Sequence, residues 1–299
     1  MSCLYIMVGL PGSGKNYYIE NHIRDNEVHI SSDALRLELY GDEDNQEHND
    51  IIFDTMLKRT VDALANNSDV WYNATNLNSR RRINLIKEIN HRLPNQVCFC
   101  CHVFAIPFNI CCERNNERAR TVPQYAMERM YKNFQAPFYG EGWDSIIVHT
   151  HESGYEQFIN EMERLKDMPH DNPNHSLSIG EHMKAAARAA IFLNFKTQIK
   201  EVARIHDVGK GYCKVFHDAK GKPTEIAHYY GHANVGAYMY MCSLNEGHVS
   251  HRDAENAALI TFHMDHFAGE GRIKNLSKIY PEKFLKKLEK LNAVDRLGH

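Results

Sequence analysis

Short apolar runs alternate with amphipathic stretches over the first half of the chain. Each apolar run has the length of a buried parallel strand, and the stretches between them carry apolar residues at helical spacing. Such alternation predicts an α/β domain, a parallel sheet flanked by helices, whose ligands lie at the carboxyl ends of the strands. The predicted strands are residues 4–8, 27–30, 69–72, 97–106 and 145–148, and the clearest predicted helices are residues 17–23, 49–65 and 79–91.

The pattern changes in the middle of the chain. Residues 168–176 are polar and contain two prolines, which predicts a junction between a domain of residues 1–168 and a domain of residues 169–299. Beyond the junction the apolar positions follow helical spacing almost throughout, so the second domain is expected to be all-α. Ser178 and Glu181 form a capping box at its first helix. The helices predicted in this domain are residues 178–194, 197–207, 231–244, 252–266 and 281–297.

Charge and histidine content narrow the classes of function. Residues 1–168 carry 17 Lys/Arg against 24 Asp/Glu, whereas residues 169–299 carry 18 against 14. Neither half is basic enough to bind nucleic acid by bulk charge, so any such contact must be local. Twelve of the 19 histidines lie after residue 168, which points to metal chemistry in the second half.

The apolar runs and the cysteines indicate the cellular compartment in which the protein is expected. No apolar run approaches the ~20 residues of a membrane span, and no signal peptide pattern begins the chain. The eight cysteines lack paired Cys-x-x-Cys spacing, so reduced and mostly buried thiols are expected, with a metal site among them as the alternative. We therefore expect a cytoplasmic protein without a membrane partner.

Residues 9–16 read Gly-Leu-Pro-Gly-Ser-Gly-Lys-Asn and lie between a predicted strand and a predicted helix. This arrangement is typical of a phosphate-binding loop, in which backbone N–H groups surround phosphate oxygens and Lys15 reaches the outer phosphates. The loop predicts ATP or another nucleoside triphosphate with Mg²⁺ as cofactor. Position 16 departs from the pattern, because Asn16 replaces the Ser or Thr whose hydroxyl holds Mg²⁺. The residues expected to contact the nucleotide are Gly12, Ser13, Gly14, Lys15 and Asn16.

Histidine and aspartate side chains recur through the second half in a distinctive order. Imidazole and carboxylate suit divalent transition metals, and two such ions can activate water and clamp a phosphoester. The order, with Gly-Glu-His at 180–182 and Ile-His-Asp-Val-Gly-Lys at 205–210, resembles the HD phosphohydrolase superfamily. Residues 175–299 are also similar to the HD domain of some CCA-adding tRNA nucleotidyltransferases. The residues in this order are His182, His206, Asp207, His232, His263 and Asp295.

This resemblance implies one or two bound metal ions and a bridging and catalytic Asp207, with Lys210 as a contact to substrate phosphate. The imidazole-rich ligand set favours divalent transition metals such as Mn²⁺, Co²⁺ or Ni²⁺. Adjacent side chains on a regular helix point ~100° apart, so His206 and Asp207 converge only if the helix ends there. Gly209 is placed to end it. His266 is a weaker candidate for a supporting position. The implied first metal set is His182, His206, Asp207 and Asp295, and the implied second set is Asp207, His232 and His263.

Three segments of the first half accompany the phosphate loop. They are Ser-Asp-Ala-Leu-Arg at 32–36, Asn-Ala-Thr-Asn-Leu-Asn at 73–78 and Arg-Ala-Arg-Thr-Val-Pro at 118–123. Together with the loop they resemble the phage and bacterial polynucleotide 5′-kinase family over residues 3–150. In that family a phosphate loop and an arginine-bearing lid surround the transferred phosphoryl group.

The resemblance assigns a role to each charged position of these segments. Asp33 would be the general base that takes the proton from a 5′-hydroxyl, and Arg36 would contact the neighbouring phosphate. Lys15 and Arg118 would stabilise charge on the transferring phosphoryl group, with Arg120 assisting, and both arginines would contact the nucleotide. The alternative for the arginines is a solvated helix face.

Two positions depart from this family. Asn16 replaces the hydroxyl that binds Mg²⁺, and Asn73 lies where many relatives carry Asp. Both changes remove strong oxygen ligands of a metal ion, so they bear on phosphoryl transfer more than on nucleotide binding.

These patterns predict a bifunctional nucleic-acid end-processing enzyme. The first domain would phosphorylate 5′-hydroxyl ends, and the second would remove a 3′ or 2′,3′-cyclic phosphate. Broken RNA carries such ends, so RNA is the expected partner and a ligase is expected to act with the enzyme. Two alternatives stay open: a P-loop domain that binds nucleotide without turnover and regulates an HD hydrolase, or a nucleotidase fused to a small-molecule kinase.

Overall fold

The computed structural model describes residues 1–173 and 176–298, without the side chains of six residues between 266 and 273 that include His266. The strands predicted in the first half are present, with small differences at their ends. The strands of the described chain are β1 (Ser2–Gly9), β2 (Val28–Ser31), β3 (Val70–Asn73), β4 (Val97–Phe104), β5 (Ser145–His149), β6 (Lys214–His217), β7 (Pro223–Tyr229) and β8 (Gly247–His248).

One sheet has the strand order β2-β3-β1-β4-β5-β8, and its first five strands are parallel. This confirms the predicted parallel sheet, and the flanking helices fit a P-loop kinase fold. The register aligns the strand ends, since Gly9 pairs with Phe104 and Ser31 pairs with Asn73. The residues that follow β1, β2 and β3 therefore meet at the same edge of the sheet.

Helices cover both faces of the sheet because the side chains of each strand alternate between the faces. Leu4 and Ile6 of β1 pack in the same hydrophobic cluster as Ile52, whereas Met7 packs on the other side with Ile19. The α-helices are α1 (Lys15–His22), α2 (Ser32–Tyr40), α3 (Asn49–Ala65), α4 (Ser79–Arg92), α5 (Phe108–Asn116), α6 (Gln124–Lys132), α7 (Gly154–Leu165), α8 (Ile179–Phe192), α9 (Thr197–Ala203), α10 (Lys210–Cys213), α11 (His232–Cys242), α12 (His251–Phe262), α13 (Glu270–Ser277) and α14 (Glu282–Leu297).

The second half is mostly helical, but the prediction that it is all-α was wrong. Strands β6 and β7 form an antiparallel hairpin, and β8 extends the large sheet by pairing with β5. The hairpin turns at residues 218–222, where the Asp218 carboxylate accepts backbone N–H bonds from Lys220 and Lys222. Most of its side chains are exposed or only partly buried, so no apolar alternation marks these strands in the sequence.

The two halves of the chain share a hydrophobic core. A single cluster of buried residues extends from Leu4 of β1 to Val294 of α14. The buried Tyr238 hydroxyl of α11 donates a hydrogen bond to the carbonyl of Ile106 at 2.7 Å, which joins the second half to the end of β4. The domain boundary after residue 168 therefore stays a prediction from composition.

Two observations concern the chain as a whole. Across residues 1–173 and 176–298, none of the helices combines the length and the apolarity that crossing a membrane requires. All eight cysteines are free thiols, and five of them are buried.

Candidate functional site

The loop between β1 and α1 has the backbone shape that a phosphate-binding loop needs. Gly12 and Gly14 adopt left-handed φ angles of 76° and 94°, which residues other than glycine rarely adopt. A Cβ at Gly12 would also lie 2.2 Å from the carbonyl oxygen of Cys111. Glycine is therefore required at position 12 by both conformation and space.

Lys15 is the first residue of α1, and its side chain folds back onto the loop. Its ammonium donates hydrogen bonds to the carbonyls of Gly9 at 2.9 Å and Leu10 at 2.7 Å. Burial lowers the pKa of Lys15 to about 8. To bind a phosphate, this ammonium must exchange loop carbonyls for phosphate oxygens.

The two positions that depart from the kinase family contact each other directly. The Asn73 amide nitrogen, at the end of β3, donates to the Asn16 side-chain oxygen at 2.9 Å. The same nitrogen lies 3.1 Å from His29 Nε2 on the neighbouring strand β2. The Asn16 side-chain oxygen, which stands in place of the usual hydroxyl, is therefore already an acceptor within the protein.

Asp33 and Arg36 lie together at the start of α2. The Ser31 hydroxyl caps this helix by accepting the N–H of Ala34, which places Asp33 in the first turn beside the phosphate loop. Arg36 donates to the Asp33 carboxylate at 2.8 Å and to the Asn49 side-chain oxygen at 2.8 Å. Arg36 is buried, whereas the Asp33 side chain is 46% exposed, so only the guanidinium side of this ion pair is removed from water.

The segment between α5 and α6 carries the two arginines predicted to contact nucleotide. Arg118 is exposed and lines the cleft described below. Arg120 instead binds carboxylates, with Glu43 at 2.9 Å, Asp44 at 2.7 Å and the more distant Asp33 at 3.6 Å. This side chain therefore connects the lid segment to the loop after α2.

A cleft of about 660 Å³ lies over these residues, and we call it the P-loop cleft. Its volume is within the range of small-molecule sites, and it brings together the phosphate loop, the start of α2 and the lid. Sequence reasoning did not single out Arg129 and Tyr125 as cleft residues, because only the packing of α6 places them there. The predicted site residues in its lining are Gly12, Gly14, Lys15, Asn16, Asp33, Arg36, Arg118 and Arg120.

A second group of functional side chains lies in the other half, and we call it the histidine–aspartate cluster. Its six residues come from separate elements and are all buried. His206 and Asp207 lie in the turn after α9, and the other members lie on or beside four further helices. The cluster consists of His182 on α8, His206, Asp207, His232 at the start of α11, His263 directly after α12 and Asp295 on α14.

Asp207 is at the centre of the cluster. One carboxylate oxygen lies 3.4 Å from Nε2 of both His182 and His206. The other lies 3.3 Å from Nε2 of His232 and 3.6 Å from Nε2 of His263. Each oxygen thus faces a different pair of imidazoles, which is the arrangement expected of a carboxylate shared by two cation positions.

The four imidazoles are all oriented by the backbone. Their Nδ1 atoms lie 2.7 to 3.1 Å from carbonyl oxygens. A carbonyl can only accept, so each Nδ1 carries the proton and the lone pair of the neutral ring is on Nε2. Metal-binding histidines are typically held this way, so the donor set fits a transition metal. The carbonyls belong to Gly298 for His182, Ala203 for His206, Tyr229 for His232 and Ile260 for His263.

Asp295 completes one side of the cluster. Its carboxylate lies 2.9 Å from His182 Nε2 and 3.2 Å from His206 Nε2. The ligand atoms of His182, His206 and Asp295 lie within 4.8 Å of one another, as do those of His206, Asp207 and His263.

The charges in the cluster shift its protonation. Burial opposes the charged form of His206, but Asp207 and Asp295 outweigh it and raise the pKa of His206 to about 9. Burial likewise disfavours the charged carboxylate of Asp207, but Lys210 and His206 hold its pKa well below the usual range. Lys210 Nζ lies 2.7 Å from the Asp207 oxygen that faces His182 and His206.

The helix before the cluster ends earlier than predicted. Helix α9 stops at Ala203, so His206 and Asp207 lie in an irregular turn and their side chains can converge. Gly209 was predicted to end the helix, which was wrong, since its φ is −75° and it lies beyond the end. A Cβ at Gly209 would lie 2.1 Å from the His232 carbonyl, so this glycine allows the turn to approach α11.

His170 is a cluster neighbour that sequence reasoning missed. It is buried, and its Nε2 lies 3.4 Å from Lys210 Nζ. The Tyr229 hydroxyl donates to the His170 carbonyl, which fixes the backbone there. His170 belongs to a polar, proline-containing segment, and polar composition alone gives no signal of burial.

Comparison with known proteins agrees with the first half of this description. Residues 4–137 match the family described as the AAA domain. An L-seryl-tRNA(Sec) kinase of Methanococcus maripaludis is 28% identical over 188 residues, which are 60% of this chain and 69% of that protein.

Two solved structures show weaker similarity. A Pnkp1/Rnl/Hen1 RNA repair complex is 23% identical with a TM-score of 0.38, covering 43% of this chain and 42% of that one. A fungal RNA kinase is 16% identical with a TM-score of 0.38, covering 58% and 88%. The chain spans about two fifths of the first of these. The parallel sheet, the phosphate loop and the match over residues 4–137 together support a P-loop kinase fold for the first half of the chain.

Proposed function

We propose that this chain processes nucleic-acid ends with two domains, residues 1–168 and 169–299. The first transfers the γ-phosphoryl group of a nucleoside triphosphate to a 5′-hydroxyl end. The second removes a 3′ or 2′,3′-cyclic phosphate. The observation that carries the proposal is the presence in one chain of a cleft over the phosphate loop and of a separate group of histidines and aspartates that could hold a metal ion.

The kinase half of the proposal follows from the cleft. Asp33 is the carboxylate placed beside the phosphate loop, and it would accept the proton of the 5′-hydroxyl as the oxygen attacks the γ-phosphorus. The bond from that phosphorus to the β-phosphate oxygen breaks, and the nucleoside diphosphate leaves. Lys15 and Arg118, both in the lining of the cleft, would supply positive charge on the nucleotide side, and Arg36 would contact the acceptor phosphate.

The hydrolase half follows from the cluster. The two imidazole pairs around Asp207, together with Asp295, would hold one or two divalent cations such as Mn²⁺, Co²⁺ or Ni²⁺. Bound cations of this kind activate water and neutralise phosphoester charge. Lys210 would contact the substrate phosphate, and the bonds from Nδ1 to the backbone keep each imidazole oriented while substrate enters and leaves.

RNA is the preferred substrate in this proposal, and a ligase would join the prepared ends. The Methanococcus maripaludis relative is an L-seryl-tRNA(Sec) kinase, which favours an RNA-linked acceptor over a free metabolite for this chain. The charge of the cleft is compatible with this choice, because the arginines at positions 36, 118 and 120 suit a polyanionic acceptor.

A second candidate function is a P-loop domain that binds nucleotide without transferring phosphate and regulates the hydrolase. The hydrogen bond between Asn16 and Asn73 favours it, because both positions of the usual Mg²⁺ site are occupied by amides. This candidate keeps the hydrolase and removes the kinase reaction.

One pair of assays tests the proposal. The purified chain is incubated with γ-labelled ATP and a 5′-hydroxyl RNA oligonucleotide, and separately with Mn²⁺ and a 3′-phosphate or 2′,3′-cyclic phosphate oligonucleotide. Label on the RNA and release of phosphate are both expected. Nucleotide binding and phosphate release without label transfer would select the regulatory candidate, and no phosphate release from either oligonucleotide would contradict the hydrolase half.

A further inference from the structure

The most informative contact outside the reaction chemistry links the two unusual amides of the P-loop cleft. Asn16 and Asn73 are 57 positions apart in the chain, yet the Asn73 amide nitrogen donates to the Asn16 oxygen at 2.9 Å. Asn73 is 4% exposed, and the same nitrogen also faces His29 Nε2 at 3.1 Å. Asn16 and Asn73, which stand where the kinase family carries metal-binding residues, therefore form one hydrogen-bonded unit.

This unit does not fit the Mg²⁺ ion that P-loop kinases use. Mg²⁺ demands oxygen ligands in a near-octahedral arrangement and favours carboxylates. At position 16 the side-chain oxygen already accepts from Asn73, and at position 73 the atom facing it is a nitrogen. The carboxylates in the described lining of the cleft are Asp33 and Asp44, and both are paired with arginine.

The hydrogen bond also determines what Asn16 presents to the cleft. The bond turns the Asn16 oxygen toward Asn73 and uses one of its two lone pairs, which leaves the amide nitrogen with its two N–H donors to face the cleft. Asn16 is exposed and lines the cleft one residue after Lys15. An N–H donor at this place suits a phosphate oxygen and cannot bind a cation.

We propose that this protein binds the phosphates of its nucleotide through the Asn16 amide nitrogen rather than through a Mg²⁺ ion held by its own side chains. Asn73 and His29 are positioning residues that keep the amide of Asn16 turned toward the phosphates. This inference rests on the proposed nucleotide site, but it is independent of whether phosphate is then transferred.

The pairing predicts how substitutions combine. Asn16→Ser alone places a hydroxyl opposite the Asn73 nitrogen, and Asn73→Asp alone leaves position 16 without a hydroxyl. Only Asn16→Ser with Asn73→Asp restores the hydroxyl and the carboxylate of a metal-binding P-loop. Each single substitution should therefore change the Mg²⁺ dependence of nucleotide affinity only slightly, and the double substitution should change it by much more than the sum of the two.

The test measures nucleotide affinity by calorimetry, with ATP in excess Mg²⁺ and ATP in EDTA, without any acceptor. The wild-type protein should change its dissociation constant by less than about threefold between the two conditions, because the coupling between metal and nucleotide is small. The double variant should bind at least about tenfold more tightly with Mg²⁺ than in EDTA. A wild-type affinity that falls more than about tenfold in EDTA would overturn the proposal.

A variant of His29 tests the positioning role. His29→Phe removes one of the two partners of the Asn73 nitrogen and should weaken metal-free ATP binding by about threefold to tenfold, an effect in the range of one lost hydrogen bond. His91→Phe, at an exposed position of α4 remote from the cleft, is the matched control and should bind as the wild type does. Equal affinity of both variants in EDTA would remove His29 from the proposal.

The outcomes separate this inference from the proposed kinase reaction. Metal-independent ATP binding without phosphoryl transfer would support the inference and contradict the kinase half. Transfer together with a strong requirement for Mg²⁺ in binding would do the reverse. Absence of ATP binding in both conditions would contradict both.

Discussion

The two candidate sites differ in how completely their functional groups are already positioned. In the histidine–aspartate cluster the imidazoles are buried and held by backbone carbonyls, and Asp207 faces them at 3.3 to 3.6 Å. In the P-loop cleft, three charged side chains are engaged in contacts within the protein. Lys15 binds loop carbonyls, Arg36 binds Asp33, and Arg120 binds carboxylates of the neighbouring loop. The first site is preorganised, whereas the second must exchange internal contacts for substrate contacts.

This difference has a structural origin. The cluster gathers side chains that lie on, or directly after, five different helices around one carboxylate, so its members are held by several parts of the fold. The cleft is assembled from a glycine loop, a helix start and an exposed lid, which are segments that can move on substrate binding. Electrostatic preorganisation therefore favours the cluster, and substrate-induced closure is the natural route to activity in the cleft.

The largest effect is expected at the cluster. Asp207→Ala removes the carboxylate shared by both imidazole pairs, so cation binding should be lost and phosphate release should fall by about 10³-fold or more, since metal assistance contributes several kcal/mol. Kinase activity should persist, because the cleft uses different groups. Elemental analysis together with both assays checks this.

Removing a buried carboxylate can also destabilise the fold, by about 3–5 kcal/mol when its cationic partners remain. Asp207→Asn keeps the shape of the side chain and serves as the second variant, with circular dichroism to confirm folding. If either folded variant retained its full metal content and its phosphate release, Asp207 could not be the shared ligand.

The next largest effect is expected in the cleft. Asp33→Ala should lower phosphoryl transfer by at least about 10²-fold, the usual contribution of a general base, while ATP affinity stays unchanged. Labelled γ-phosphate transfer and ATP titration measure the two quantities. Asp62→Ala, at an exposed position of α3 outside the cleft lining, is the control. Unchanged transfer in the Asp33 variant would exclude this residue as the base.

Most of the sheet and the membership of the cluster could be predicted from sequence because both depend on local or ordered signals. Apolar runs such as residues 97–106 have the period and length of buried strands, and β4 was found there. The six histidine and aspartate side chains in this order lie close together in the structure, around Asp207 and Asp295. Apolar residues favour the buried sheet, and histidine and aspartate are residue types that can share a metal ion, so in each case the residue type indicates the environment of the side chain.

The remaining features depend on register and packing that no local pattern encodes. The bond from Asn73 to Asn16 exists because β3 lies beside β1 and ends level with the phosphate loop. The burial of His170 arises from contacts with residues 40 or more positions away. The β6–β7 hairpin lacks apolar alternation because its side chains are largely exposed.

A third and smaller effect concerns pH. Burial lowers the pKa of Lys15 to about 8, so the ammonium loses its proton well below the pH at which an ordinary lysine does. Phosphate binds the charged form, so ATP affinity should fall roughly tenfold between about pH 7 and pH 9. Calorimetric titration over this range measures it. Lys15→Met should bind ATP more weakly and without this pH dependence, and a flat wild-type profile would contradict the assignment.

The smallest effect tests whether the two sites are mechanically separate. Tyr238 of α11 donates to the Ile106 carbonyl at 2.7 Å, and α11 begins at His232 of the cluster, so this bond joins the cluster helix to the cleft side of the sheet. Tyr238→Phe should lower the free energy of unfolding in urea by about 1 kcal/mol, the usual contribution of one buried hydrogen bond. Both activities should stay within about threefold of wild type at temperatures where the protein is folded, since neither site loses a functional group.

Tyr212→Phe, at a partly exposed ring of α10, is the matched control and should change stability by less than about 0.5 kcal/mol. A Tyr238→Phe protein of normal stability that has lost one activity would show that the sites communicate through α11. In that case the cluster and the cleft would be allosterically coupled. Binding of a metal ion or substrate at the cluster would then help to determine whether the cleft closes.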